Sequence, residues 1–252
     1  TGDLVIPPEI DGYAVVKIKS FAFYQCSGLT SIDLPKGITS IESYAFSNCS
    51  SLTNVNLPEG ITSIEYGAFF NCSSLTSIEL PEGITSIGGE AFSLCKNLMS
   101  INIPEGVTSI GNSAFNFCGL KKVYINDLKA WCNIEFENSS SNPMKTGVEL
   151  YLNGETFKGE VVIPDGAKKI PEYTFSNCIE ITNIVMSEGI SSIGSGAFYG
   201  CSELTSVKLS EGITSIGSRA FYACKKLSSI ELPEGLTSIG DFAFDGCQML
   251  TE

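Results

Sequence analysis

LPEGITSIGGEAFSLCKNL, residues 80–98, is nearly repeated from Leu34 (LPKGITSIESYAFSNCSSL), from Leu57 (LPEGITSIEYGAFFNCSSL) and from Leu232 (LPEGLTSIGDFAFDGCQML). Phe23, Phe46, Phe69, Phe92 and Phe115 are evenly spaced, and the series resumes at the same interval as Phe175, Phe198, Phe221 and Phe244. A cysteine follows each of these phenylalanines at the third position; of the ten cysteines only Cys132 is out of step. Self-similarity at a fixed period of about 20 to 50 residues marks a solenoid, because each unit has an apolar face that only its neighbours can cover. One such array, 1–252, is therefore expected, with N-terminal repeats over 1–118, an irregular insert over 119–160 and C-terminal repeats over 161–252.

Within a unit, Leu75, Ile78 and Leu80 alternate with polar residues, which predicts a short strand with Glu79 pointing outward. Leu80-Pro81-Glu82-Gly83 suits a type I turn, with Pro at the second position and Gly at the fourth. A second extended piece, Ile84–Ile87, follows on the opposite wall. Gly88-Gly89 then relaxes the backbone, and residues 90–95 have room for about one helical turn that drops Ala91, Phe92 and Cys95 inward. The strand pattern resembles the leucine-rich repeat, L-x-x-L-x-L. With its P-E-G-I-x-x-I and nine A-F-x-x-C or T-F-x-x-C copies, the chain is similar to the BspA-like, or Treponema-type, branch of that family. The fold class this implies is a leucine-rich-repeat solenoid of 23-residue units, with parallel β-strands on one face and short extended or helical-turn segments on the other walls.

The beat breaks between Cys118 and Cys178, whose separation is not a whole number of periods. Asp127 is placed to cap a short helix over 128–132, residues 138–143 read as a loop, and Asn153-Gly154 signals a hairpin. Trp131 and Tyr151 are expected to pack the insert onto the solenoid. Interruptions of this W-C type also occur in the BspA-like family. The N-terminal stretch from Leu4, through a loop at Asp11-Gly12, resembles the restart after the insert and is expected to form the first coil. The last residues, 248–252, enter what would be another strand, so the chain reads as a piece of a longer one.

Charge and composition exclude several functions. Lys plus Arg number 15 against 28 Asp plus Glu, a balance of −13, which is the wrong electrostatic footprint for nucleic acid or an anionic membrane surface. No apolar run approaches the ~18 residues that span a bilayer, and Thr1-Gly2-Asp3 does not begin a signal peptide. The chain has no histidine, so Ser-His-Asp, Cys-His and His-based metal sites are all missing. An enzyme would have to run on carboxylates, and the best pair, Asp33 and Glu79, would sit two coils apart at about 9.6 Å, near the upper limit for inverting glycoside hydrolysis. Nothing in the sequence suggests an apolar pocket around them.

The cysteines are read as buried free thiols, because equivalent Cβ vectors on neighbouring coils run parallel and stay too far apart for a bridge. No C-x-x-C suggests zinc. Glu59, Glu82, Glu105, Asp165, Glu188, Glu211 and Glu234 line one rim, where repulsion of only about 0.8 kcal/mol per neighbour in water needs no metal. No cofactor is expected. Thr62, Thr85 and Thr108 form a hydroxyl file on the opposite wall and read as ordinary solvated positions.

Most outward strand positions are small and polar. Lys121, Lys122 and Tyr124 change this near the insert, and Val162, Val185 and Lys208 do so after it. Large residues on a small polar sheet are where a hot spot would lie, so Lys122, Tyr124, Val185 and Lys208 are the expected ligand-binding residues, unless the insert covers the valines. The family resemblance implies a secreted or cell-surface, non-enzymatic binding or adhesion module whose partner is an extracellular protein, of host or matrix, or a glycan. The alternatives are a structural surface spacer without a specific ligand and, more remotely, a carboxylate-based glycoside hydrolase.

Overall fold

Ser77 and Glu79 stand exposed with Ile78 buried between them, and Asn54–Asn56 repeats that pattern one period earlier. This period-two alternation, recurring once in each repeat, lets each coil lay one strand beside the equivalent strand of the next. The computed structural model describes residues 2–251. The chain divides into two compact units, one ending at Ile125 and one starting at Asn126.

In the first unit Gly2–Val5, Leu29–Asp33, Asn54–Asn56 and Ser77–Glu79 form a parallel sheet in chain order. Asp33 pairs with Asn56 and Asn56 with Glu79, the register required by the repeat. Ser100–Asn102 pairs with Lys122–Ile125 through Ser100 with Lys122 and Asn102 with Tyr124. That offset falls one short of the period because Cys118-Gly119-Leu120 lacks one position of the usual C-x-x-L. On the opposite wall, the two-residue strands Lys17–Ile18, Ser40–Ile41, Ser63–Ile64, Ser86–Ile87 and Ser109–Ile110 pair in succession. The second unit repeats the plan. Gly159–Val162, Ile181–Val185, Ser206–Lys208 and Ser229–Ile230 form one parallel sheet. Ser192–Ile193, Ser215–Ile216 and Ser238–Ile239 form the other.

Inside each coil the expected residues are buried: Ile78, Leu80, Ile84, Ile87, Ala91, Phe92, Cys95 and Leu98 are at most 6% exposed. The phenylalanines stack as a ladder. Ring centroids from Phe23 through Phe115 lie 5.1 to 5.7 Å apart with planes within 12°. In the second unit the ladder runs from Phe157 through Phe175 to Phe244. Phe157, which precedes no cysteine at the usual spacing, joins at 6.0 Å.

The corner that carries each phenylalanine is built from consecutive i→i−3 turns. Ala68, Phe70 and Cys72 donate their N–H groups to Glu65, Gly67 and Phe69 of the same coil, while Gly67, Phe69 and Asn71 donate to Gly89, Ala91 and Ser93 of the next. Odd and even residues thus divide their hydrogen bonds between the coil and its neighbour, and every donor in the run is satisfied. The division requires left-handed backbone two positions before and two after the phenylalanine: φ is 59° at Gly67, 55° at Asn71, 54° at Glu90 and 63° at Leu94.

The Pro-Glu-Gly turn lies one position later than expected. Ile84 donates its N–H to the Pro81 carbonyl at 3.0 Å, so Pro81 opens the turn and Gly83 takes its third position. Leu80 precedes the turn with its side chain buried in the core. At the equivalent Gly106 close approach requires glycine, since an added Cβ would lie 2.9 Å from the Ile84 carbonyl oxygen, whereas at Gly83 the nearest atom would be at 3.5 Å.

The expected helix cap and hairpin of the insert are present. Asp127 caps the helix Leu128–Trp131, accepting the Ala130 N–H at 2.7 Å. Glu149–Leu152 and Glu155–Thr156 form an antiparallel hairpin across Asn153-Gly154, both with positive φ. Trp131 is 1% exposed, meets Phe136 edge to face, and donates its indole N–H to the Thr174 carbonyl at 3.0 Å. It fastens the insert to the first regular coil of the second unit. Tyr151 is half-buried and donates its hydroxyl to Glu149 at 2.7 Å. The N-terminal loop is also a hairpin, Glu9–Ile10 with Tyr13–Ala14, turning at Asp11-Gly12.

Candidate functional site

The outward strand positions of the first unit form the floor of an open cleft of about 490 Å³. Pairing lines up Asn54 with Ser77, and Asn56 with Glu79, because all four alternate with buried residues. Glu59 and Glu82, carried out by the Pro-Glu-Gly turns, stand along one side of the cleft, and Tyr124 closes it beside Asn102. Lys122 lies two positions before Tyr124 on the same strand and is exposed, whereas Tyr124 is half-buried. The floor offers amide, hydroxyl and carboxylate groups with a single large ring, a surface suited to hydrogen bonding with a polar ligand and without a deep apolar anchor.

Val185 and Lys208 belong to the second unit. Val162 pairs with Val185 and Val185 with Lys208, so the three side chains form one outward file. The insert leaves this file accessible: Val162 is 56% exposed, Val185 is half-buried and Lys208 is exposed. The four expected residues therefore form two pairs, Lys122 with Tyr124 and Val185 with Lys208, one on each unit.

Asp33 and Glu79 occupy the same outward register with Asn56 between them, as the spacing predicts. Both are exposed. Among the described residues, no group of three or more His, Cys, Asp or Glu side chains is placed to hold a metal ion. The threonine file is bound into the fold: Thr85 donates its hydroxyl to the Thr62 carbonyl at 3.1 Å and Thr108 to the Thr85 carbonyl at 3.2 Å.

All ten cysteines are free, and seven are buried. Their thiols have a partner that spacing alone does not reveal. Cys95 donates its S–H to the Phe69 carbonyl at 3.2 Å, and the same carbonyl accepts the Cys72 N–H. Cys49, Cys72, Cys201, Cys224 and Cys247 each bond the phenylalanine carbonyl of the preceding coil in the same way. Burial raises these thiols far above their ordinary range, to about 12 at Cys49, where the neighbouring Cys26 adds to the effect.

A model of the BspA type leucine rich repeat region matches residues 16–142 and 153–252 in six copies. The chain belongs to the BspA-type leucine-rich repeat family. Among solved structures, the BspA-type chain is similar to a leucine-rich cell surface protein from Faecalibacterium prausnitzii, with 26% identity and a TM-score of 0.53. The match covers 98% of this chain and 80% of that one. It shares its fold with the pneumococcal vaccine antigen PcpA, at 21% identity and a TM-score of 0.63, over 98% of this chain and 70% of PcpA. None of the curated proteins matches it. Among the described residues, no helix is long and apolar enough to cross a membrane.

Proposed function

We propose that this BspA-type chain is a non-enzymatic binding module, secreted or held at a cell surface, which engages an extracellular protein or glycan. The observation that carries the reading is the strand-face cleft. Its small polar floor is ordered by the repeat, and Tyr124 interrupts that regularity, with Lys122 beside it on the same strand. A tyrosine supplies contact area at low entropic cost, and a lysine within an acidic chain orients a partner of opposite or mixed charge. Val185 and Lys208 offer an analogous pair on the second unit. The named location of the F. prausnitzii protein supports the cell-surface assignment.

The reading is tested by presenting the chain to immobilised matrix proteins and glycans at two salt concentrations. A saturable partner whose association weakens as salt rises is expected. The absence of any partner across such a screen would favour a spacer. Glycan hydrolysis that is lost on Asp33→Asn or Glu79→Gln would favour the carboxylate enzyme.

A further inference from the structure

The wall of turns in the second unit carries a site that the strand face does not involve. Tyr173, Tyr199, Arg219 and Phe242 flank successive core phenylalanines and line a cleft of about 570 Å³ together with Lys145 of the insert. The aromatic groups are held in place. Tyr199 stacks on Tyr222 at 5.0 Å with planes within 5°. The Tyr173 ring lies so close over Gly196 that an added Cβ there would be 2.7 Å from it. Phe242 sits under the Arg219 guanidinium at 5.5 Å.

The charges point to the ligand. In a chain with a net charge of −13, two cations face this cleft, and among the described residues neither makes an ion pair. Lys145 is half-buried, and burial holds its ammonium below the ordinary lysine value. A half-buried cation without a counter-ion is an unfavourable state that a bound carboxylate relieves. The corresponding wall of the first unit has stacked rings at Phe21 and Tyr44, but its cation Lys19 is already bonded to Glu42 at 3.0 Å.

We propose that the cleft of Tyr173, Tyr199, Arg219, Phe242 and Lys145 binds a carboxylate-bearing saccharide. The ring faces take the apolar face of a sugar, the two cations take its carboxylate, and the Ser195 and Ser218 hydroxyls meet its hydroxyls. Asp241 lines the same cleft. It accepts from a sugar hydroxyl and repels a densely charged polyanion, which favours one carboxylate per sugar over a phosphate polymer. Rings already fixed by their neighbours lose little freedom on binding.

The test measures affinity for a panel of uronate- and sialate-bearing oligosaccharides, their carboxyl-esterified counterparts, and a glutamate-rich peptide. At least one acidic saccharide should bind at least tenfold tighter than its ester and than the peptide. Arg219→Asn, Tyr199→Ala and Lys145→Gln should each weaken it at least tenfold, while Thr85→Ala with Thr108→Ala leaves it unchanged. Asparagine is chosen because residue 219 has φ 56°, a left-handed conformation that asparagine tolerates. Lys145→Gln and Tyr199→Ala keep the test intact if that variant misfolds. No binding of any acidic saccharide at millimolar concentration, equal binding of the esters, tighter binding of the peptide, or affinity indifferent to the cleft variants would each overturn the proposal.

Discussion

Phe92 and Thr85 share one coil yet lie on opposite sides of the fold's energetics. Phe92 is fully buried and stacks on Phe69 at 5.7 Å and on Phe115 at 5.6 Å. Its truncation leaves a cavity shared by three coils, so Phe92→Ala should cost about 3 to 5 kcal/mol in denaturant unfolding. Thr85→Ala removes one exposed hydroxyl bond to Thr62 and should cost about 0.5 kcal/mol. Comparable losses would mean that inside and outside are misassigned. Leu94 offers the opposite case. It sits at φ 63°, where Asn48 and Asn71 occupy the equivalent position and Asn71 donates its side-chain amide to Asn48 at 2.8 Å. Leu94→Asn places a left-handed-tolerant residue there and extends the amide ladder, so it should stabilise by about 1 kcal/mol. A thermal melt decides; a lower melting temperature would show that Leu94 contributes more by packing than its backbone costs.

The coil is legible in the sequence because its signals are periodic. Phenylalanine, cysteine and the alternating strand recur at one interval, so burial of Ala91, Phe92 and Cys95 can be read directly, as can the Asp127 cap and the Asn153-Gly154 hairpin. The corner is legible only as a turn. Its alternating left-handed residues are Gly67, Asn71, Glu90 and Leu94, whose side chains share no signature. Phe157 carries no periodic signal, because it enters the ladder from an irregular segment. The thiol bonds, also hidden from spacing alone, link one coil to the next. Burial raises these thiols, so the folded chain keeps them protonated while the unfolded chain ionises them near pH 9. A raised folded pKa contributes stability that is fully present below the unfolded value and lost as pH climbs toward the folded one, about 12 at Cys49. Each fully buried thiol should therefore withdraw about 1.4 kcal/mol per pH unit above about pH 9. Melting temperature should fall steeply from about pH 9 upward and hold below it; a flat profile to about pH 11 would contradict the buried-thiol ladder. Titration with a thiol reagent should likewise find few reactive groups in the native chain and about ten after denaturation without reductant.

At the scale of the molecule, repeat chemistry specifies a scaffold, and the proposed binding surfaces lie where the repeat is broken. Tyr124 is recognisable as such a break because strand alternation fixes which residues face outward. The cleft at Tyr173, Tyr199 and Arg219 is not, because turn-wall positions follow no alternation and their side chains converge only once the corner geometry is known. The most direct test of the central claim, that the strand face near Tyr124 is a binding surface, is the affinity of a partner found in the matrix-protein and glycan screen for two matched double variants. Lys122→Ala with Tyr124→Ala should weaken binding at least tenfold with little change in melting temperature, whereas Thr85→Ala with Thr108→Ala on the opposite wall should leave affinity within about twofold. Binding that ignores the first pair and collapses with the second would contradict the account.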